Sequence, residues 1–253
     1  MSADLDYPRL LHVAGTILDG AVEEFRAGVG APSAVVKGAT DFATQVDLDL
    51  ERRLSAELAE QTQIPVHGEE FGGPDPDSGV VWVLDPVDGT FNYSTGVPLT
   101  GILLGLVVDG DPILGLTWLP LQNRRYAAHV DGPLLVDGEP APPLTETDLA
   151  TSVLAYGPFN AGYGGRYPGA QRADVLRGLS SRAARVRMTG STGVDLSFTA
   201  AGIFGGAVIF GRHAWDNAPG TALVRAAGGV ATDLAGAPWT VNSPSLVVGA
   251  PGR

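Results

Sequence analysis

Between Pro8 and about Phe25, Leu10, Leu11, Ala14, Ile17, Leu18, Val22 and Phe25 recur every three or four residues. That spacing predicts a helix with one buried face, ended by Gly28 and Gly30. A second amphipathic helix is headed by Asp47 and runs through Leu48-Asp49-Leu50-Glu51-Arg52-Arg53-Leu54. The pattern then changes character. Ile64 to Phe71 reads as a short strand closing on Gly68-Glu69-Glu70, and Val80 to Leu84 is an unbroken apolar run, the mark of a buried strand. Thr100–Val108 and Ile113–Leu119 are apolar segments parted by Asp109-Gly110-Asp111-Pro112, a hairpin signal. Arg124–Val130 and Pro133–Val136 continue as strands, so this stretch predicts an antiparallel meander.

Pro140 to Pro143 reads as a boundary between halves, 1–143 and 144–253, of one compact unit. Beyond it, Thr151–Tyr156 is a strand, Asn160–Gly169 a Gly- and Tyr-rich loop placed over the site, Gln171–Leu179 a helix and Ala184–Met188 a strand. That order predicts a more parallel α/β second half. Gly190-Ser191-Thr192-Gly193-Val194-Asp195-Leu196 opens another helix. Gly206–Phe210 is a short strand, and Asn217–Ala227 a helix closed by Gly228-Gly229.

Composition narrows what this α+β to α/β frame does. The 253 residues are 44% hydrophobic, ample for a large core. The net charge of −12 argues against nucleic acid or an anionic membrane as partner. It also implies that a phosphorylated substrate would need a cation to approach. With no cysteine, disulfides and thiolate zinc sites are excluded. The opening Met-Ser-Ala-Asp-Leu-Asp has no apolar leader, and no apolar run approaches transmembrane length, which predicts a cytoplasmic protein.

The candidate chemistry centres on Asp85-Pro86-Val87-Asp88-Gly89-Thr90. Pro86 lacks an N–H and is expected to stop the strand ladder, and Gly89 permits a tight turn. Two carboxylates three residues apart at a strand end suit a hard divalent cation with room for a phosphate. An Asx-rich surface turn is the competing reading. The adjacent Glu69-Glu70 pair repels unless solvent or a cation separates it. Asp47 and Asp216 each read as an acid in the first turn of a helix. His67 reads as structural, since magnesium prefers oxygen.

The stretch Trp82-Val83-Leu84-Asp85-Pro86-Val87-Asp88-Gly89-Thr90-Phe91-Asn92-Tyr93, with Pro98 downstream, resembles the signature of the inositol monophosphatase family of magnesium-dependent, lithium-sensitive phosphatases. Asp41, Thr44 and Asp47 match the family's D-x-V-T-x-x-D, with Ala43 in place of valine; Gly68-Glu69-Glu70 matches its G-E-E. Gly190, Ser191 and Leu196 fit its G-(S/T)-x-x-x-(D/N)-L, and Trp215-Asp216-Asn217-Ala218-Pro219-Gly220 its W-D-x-A-x-G. The resemblance implies a layered αβαβα sandwich of the inositol monophosphatase / fructose-1,6-bisphosphatase type. It implies two or three Mg2+ ions held by Glu69, Asp85, the Val87 carbonyl, Asp88 and Asp216. Glu69, Thr90 and Asp47 become catalytic, Asp47 by helping to bind a metal or by orienting the attacking water with Thr90. Gly89 and Thr90 N–H groups hold the phosphate, and Gly190, Ser191 and Asp216 contact the substrate. The implied reaction is direct in-line hydrolysis of a small phosphate monoester by a homodimer, first of all inositol 1-phosphate. Relatives on the scaffold cleave histidinol phosphate, fructose 1,6-bisphosphate or 3′-phosphoadenosine phosphates, and some are credited with regulatory binding instead. Ile209 stands where inositol-specific members often carry an acid, which implies a less polar leaving-group pocket. No basic cluster for a second phosphate is evident along the chain.

Overall fold

Helix α1 (Tyr7–Ala27) opens the described part of the chain, capped by the Asp6 carboxylate, which accepts the Arg9 N–H at 3.0 Å. The computed structural model describes residues 5–38 and 41–251, Asp41 by its backbone alone. After α1 comes an antiparallel pair, β1 (Ser33–Gly38) and β2 (Asp41–Thr44), and then α2 (Gln45–Thr62). Helices α1 and α2 turn Leu10, Ala14, Leu18, Leu50, Leu54 and Leu58 onto one face of a seven-stranded sheet.

That sheet holds β3 (Val66–Gly68), β4 (Val80–Asp88), β5 (Gly101–Val108), β6 (Asp111–Leu119), β7 (Arg124–His129), β8 (Leu135–Val136) and β9 (Glu139–Pro140), side by side in chain order. Only β3 with β4 is a parallel pairing; the rest form the expected meander, with Asp109-Gly110 turning between β5 and β6. A short helix, α3 (Thr90–Thr95), joins β4 to β5.

The chain then builds β10 (Val153–Tyr156), α4 (Gly169–Ser180), β11 (Arg185–Arg187), α5 (Thr192–Ala200), β12 (Gly206–Ile209), α6 (Ala214–Ala226), β13 (Val230–Thr232) and β14 (Leu246–Gly249). The second sheet runs β11-β10-β12-β14-β13, with β10 parallel to both of its neighbours. Helices α5 and α6 lie between the two sheets: Val194, Leu196, Leu223 and Val224 share one core with Val83 and Val107 of the first sheet and Ala207, Ile209 and Val248 of the second. Helix α4 covers the outer face of the second sheet, through Val175, Leu176 and Leu179 against Tyr156, Val208 and Phe210. The layers are therefore α, β, α, β, α, as the resemblance implied. Among the described residues no helix is long and apolar enough to cross a membrane.

Two local expectations are corrected. Pro86 does not stop β4. The strand runs on to Asp88, with Asp85 opposite Leu103 and Asp88 opposite Gly101. Three steps on β4 thus face two on β5, a bulge that leaves Pro86 where no ladder N–H is needed. Helix α6 begins at Ala214 rather than Asn217, so Pro219 sits inside it and frees the Trp215 carbonyl four residues back. Gly105 and Gly115, directly opposed on β5 and β6, make room for that irregular turn. A Cβ at Gly115 would lie 2.1 Å from the Pro219 carbonyl oxygen, and one at Gly105 3.2 Å from the Pro219 nitrogen.

Candidate active site

The β4 bulge delivers Asp85 and Asp88 to one end of the first sheet, and the first turn of α6 brings Asp216 to them. One carboxylate oxygen from each lies within 4.8 Å of the other two. The two strand acids are held differently. The Asp88 carboxylate accepts the Ser191 hydroxyl, the Thr192 N–H at 3.0 Å and the Gly193 N–H at 2.9 Å, at the N-terminus of α5. Asp85 accepts the Val87 N–H at 3.0 Å. Burial pushes the Asp88 carboxyl up to about 6, against those hydrogen bonds. Burial raises Asp85 well above the usual carboxylate range, and the charges of Glu69, Asp88, Asp216 and Asp47 add to it. Asp216 is raised by burial and then by Glu69 and Asp88. Crowded carboxylates of this kind do not all stay ionised without a cation.

Glu69 leaves the end of β3 beside this trio, but its carboxylate reaches the Lys37 ammonium at 2.7 Å, as Glu70 does at 2.6 Å. Burial alone would lower the Lys37 pKa; its bonds to the two glutamates outweigh that and raise it. Burial pushes Glu70 up to about 7 despite Lys37. Asp47 is the third residue of α2, and its carboxylate accepts the Thr44 N–H at 2.9 Å and the Thr44 hydroxyl. Its other oxygen is buried without a partner, and burial raises its pKa. The Asp41 side chain lies outside the described residues.

The remaining candidates meet on the other side of Asp88. The Thr90 hydroxyl donates to the Val87 carbonyl at 3.1 Å. Gly89, at φ 78°, caps α3 so close to the Gly190 turn that a Cβ there would lie 3.1 Å from the Gly190 oxygen. Asn92 ties the two turns together through the Leu99 and Thr189 carbonyls, at 2.6 and 2.8 Å. The opening N–H groups of α3 have no partner within the helix.

Comparison with known proteins gives the family. The profile of the inositol monophosphatase family matches residues 7–253. The chain belongs to the inositol monophosphatase family. It is a phosphatase. Inositol-1-monophosphatase ImpA of Mycolicibacterium smegmatis is 57% identical over 243 residues, 96% of this chain and 88% of that one. The probable inositol 1-monophosphatase ImpA of Mycobacterium tuberculosis is 54% identical, over 96% of this chain and 90% of that one. In fold, the chain superposes on the extragenic suppressor protein suhB from Bartonella henselae with a TM-score of 0.86 at 23% identity, covering 96% and 94% of the two chains.

Members of the family are metal-dependent, and the cluster fits that chemistry. Its donors are carboxylate oxygens alone, the set a hard divalent cation takes. Burial raises the pKa of each of the three acids, a penalty on their charged forms that a cation would relieve.

Three features escaped the sequence reading. Glu51 is buried in α2, where it accepts the Glu70 and Phe71 N–H groups, each at 2.8 Å, and so fastens the Glu69-Glu70 turn. Its signal was there: Asp47 and Glu51 stand four apart on the same stripe as Leu50, Leu54 and Leu58. Asp195 is buried and pushed up to about 7 by burial, against its bond from the Thr189 hydroxyl. Arg166, Arg172 and Arg212 gather in one cavity beside the site. The sequence shows no such grouping, because the three residues are scattered along the chain.

Proposed function

We propose that this phosphatase hydrolyses a phosphorylated polyol, with inositol 1-phosphate as its reference substrate, and that Mg2+ is its cation. The observation that carries this reading is the Asp85–Asp88–Asp216 trio, its two strand acids buried and Asp216 half-buried. Those three, with Glu69 and the Val87 carbonyl, are the residues that would hold the metal. Glu69 joins them by giving up Lys37. Bound there, magnesium would supply positive charge to the phosphate and lower the pKa of water. The chain supplies the rest. Thr90 keeps the Val87 carbonyl in place through its hydroxyl, and its oxygen lone pairs accept a hydrogen bond that orients the attacking water. Asp47, fixed by Thr44, leaves one carboxylate oxygen unpartnered for the same water. The N–H groups of Gly89 and Thr90 receive the phosphate oxygens. Gly190 and Ser191 lie next to Gly89 and face the departing polyol with Asp216.

In this reading 1–143 carries most of the ligands and 144–253 contributes Asp216 and the polyol contacts. The first sheet ends at Pro140 and the second begins at Val153, which supports that division. A homodimer, a cytoplasmic setting and lithium sensitivity go with it. A solution mass of one chain would count against the dimer.

The test is phosphate release from inositol 1-phosphate, histidinol phosphate, fructose 1,6-bisphosphate and 3′-phosphoadenosine 5′-phosphate, with magnesium and with added lithium. Magnesium-dependent release from inositol 1-phosphate, reduced by lithium, is expected. Strong preference for the histidinol or adenosine ester would replace the polyol class. Release unaffected by removing magnesium would overturn the metal assignment.

A further inference from the structure

The turn that carries Glu69 is held by an acid outside the cluster. Gly68 ends β3, and the chain closes on itself there. The Gly68 N–H donates to the Gly72 carbonyl at 3.0 Å, and the Gly72 N–H to the Gly68 carbonyl at 3.1 Å. The Glu69 N–H donates to the Leu84 carbonyl of β4 at 3.1 Å. Two N–H groups of the turn are left, those of Glu70 and Phe71. Both donate to Glu51, on separate carboxylate oxygens, each at 2.8 Å. Backbone N–H groups taken from water need acceptors, and one side chain of α2 completes the set from 68 to 72.

The chemistry of this tie is specific. Glu51 is 1% exposed, and a carboxylate is costly to bury unless it is hydrogen-bonded. Gly68 makes the space for it: a Cβ there would lie 2.0 Å from a Glu51 oxygen. A glutamine would fill the same volume, but its amide accepts on one side and donates on the other. A carboxylate accepts on both. Arg52, the next residue of α2, steadies the same turn, with its guanidinium 4.8 Å from the Phe71 ring centre. Both Glu51 oxygens are committed to N–H groups, so Glu51 reaches the cluster only through the turn it holds.

The side chains on that turn have to change partners. Glu69 and Glu70 both bond Lys37, at 2.7 and 2.6 Å, and Glu69 joins the Asp85–Asp88–Asp216 trio by giving Lys37 up. With the backbone held at each N–H from 68 to 72, that exchange is the rotation of one side chain, and Lys37 keeps Glu70. Without Glu51 the peptide that follows Glu69 would be free to turn, and the carboxylate would have to be ordered at the moment the cation binds. Ordering groups on binding costs affinity.

We infer that Glu51 is a positioning residue for the metal site: by holding the Glu70 and Phe71 N–H groups it presets the Glu69 carboxylate, and so sets the affinity for the cation without being a ligand. The inference rests on the phosphatase reading above, in which Glu69 is a ligand.

The test is a double-variant cycle in the full chain, read by calorimetric titration of the metal-free protein with Mg2+. Glu51→Gln should weaken Mg2+ binding by about 10–100-fold, the usual effect of a residue that orients a ligand, and Glu69→Gln by at least as much. Because Glu51 acts through Glu69, the pair together should bind no more weakly than Glu69→Gln alone. Glu51→Asp keeps the charge on a side chain one carbon shorter, which cannot span both N–H groups, and should weaken binding as Glu51→Gln does. It also carries the cycle if Glu51→Gln does not fold, which a melt in chelator decides. In turnover of inositol 1-phosphate, the magnesium concentration for half-maximal rate should rise by the same factor, with kcat at saturating magnesium retained. Unchanged Mg2+ binding in the Glu51 variants, beside weakened binding in Glu69→Gln, overturns the inference and leaves Glu69 a ligand. Additive losses in the pair overturn it too, since Glu51 would then act elsewhere. Unchanged binding in Glu69→Gln sinks the metal reading of Glu69 and the inference with it.

Discussion

Asp85 and Asp88 are neighbours in sequence and unequal in support. Asp88 has a hydroxyl and two N–H donors at the start of α5, whereas Asp85 has the Val87 N–H and otherwise the carboxyl of Asp216, itself one of the crowded acids. Hydrogen bonds to the charged form offset burial, so Asp85 depends more heavily on a cation. Asp85→Asn tests this in two directions at once. Changing a residue that merely orients a metal ligand costs about 10–100-fold, so losing a ligand outright should lower kcat/KM by at least about a hundredfold. In the metal-free protein the same change removes one of several mutually repelling charges and should raise Tm by about 2–4 °C, the shift that 1 kcal/mol produces in a chain this size. Near-wild-type turnover would remove Asp85 from the site, and a lower metal-free Tm would show that repulsion is not what the cluster suffers.

The placement of Asp216 depends on an element rather than on its own contacts. Helix α6 reaches the first sheet at Pro219, and the opposed Gly105 and Gly115 give it room. Gly115→Ala forces a Cβ to 2.1 Å from the Pro219 oxygen, so α6 must shift. Overpacking of this kind costs about 1–3 kcal/mol, and the shift should carry Asp216 away from Asp85 and Asp88, lowering kcat/KM as well as Tm. Gly105→Ala, whose Cβ would meet the Pro219 nitrogen at 3.2 Å, should be the milder of the two. If the thermal melts ranked them the other way, the notch would not be what seats α6. At this scale much was legible. The three- and four-residue spacing from Leu10 to Phe25 marked α1, and Asp109-Gly110 marked the hairpin. The course of β4 through Pro86 was not, because a bulge is a relation between two strands: it shows only when Asp88 is found opposite Gly101. The early start of α6 was missed for a related reason. Pro219 reads locally as a helix opening, and its tolerance inside the helix comes from glycines more than a hundred residues away.

Across the whole molecule, the acids of the site were readable because each stands in a short motif, whereas Arg166, Arg172 and Arg212 carry no motif and meet only through the order of β10 and β12. What the molecule does with its clustered acids has a consequence for its overall stability. Asp88 is pushed up to about 6 and Glu70 and Asp195 to about 7, all by burial first, and Asp85 and Asp216 are raised as well. Unfolded carboxyls titrate near 4. Between about pH 4 and pH 7 the folded, metal-free chain therefore holds more protons than the unfolded one, and where the native state binds more protons stability falls as pH rises. Metal-free Tm should thus decline as the pH is raised from about 4 to about 7. A cation stabilises the ionised cluster and competes with protons for it, so the rise in Tm on adding magnesium should grow over the same window. Thermal melts in a chelator and in magnesium, at steps across that range, read both slopes. A metal-free Tm that rises with pH through the window would mean that Lys37 and the donors around Asp88 already balance the acids. The cluster would then have no need of a cation for its stability.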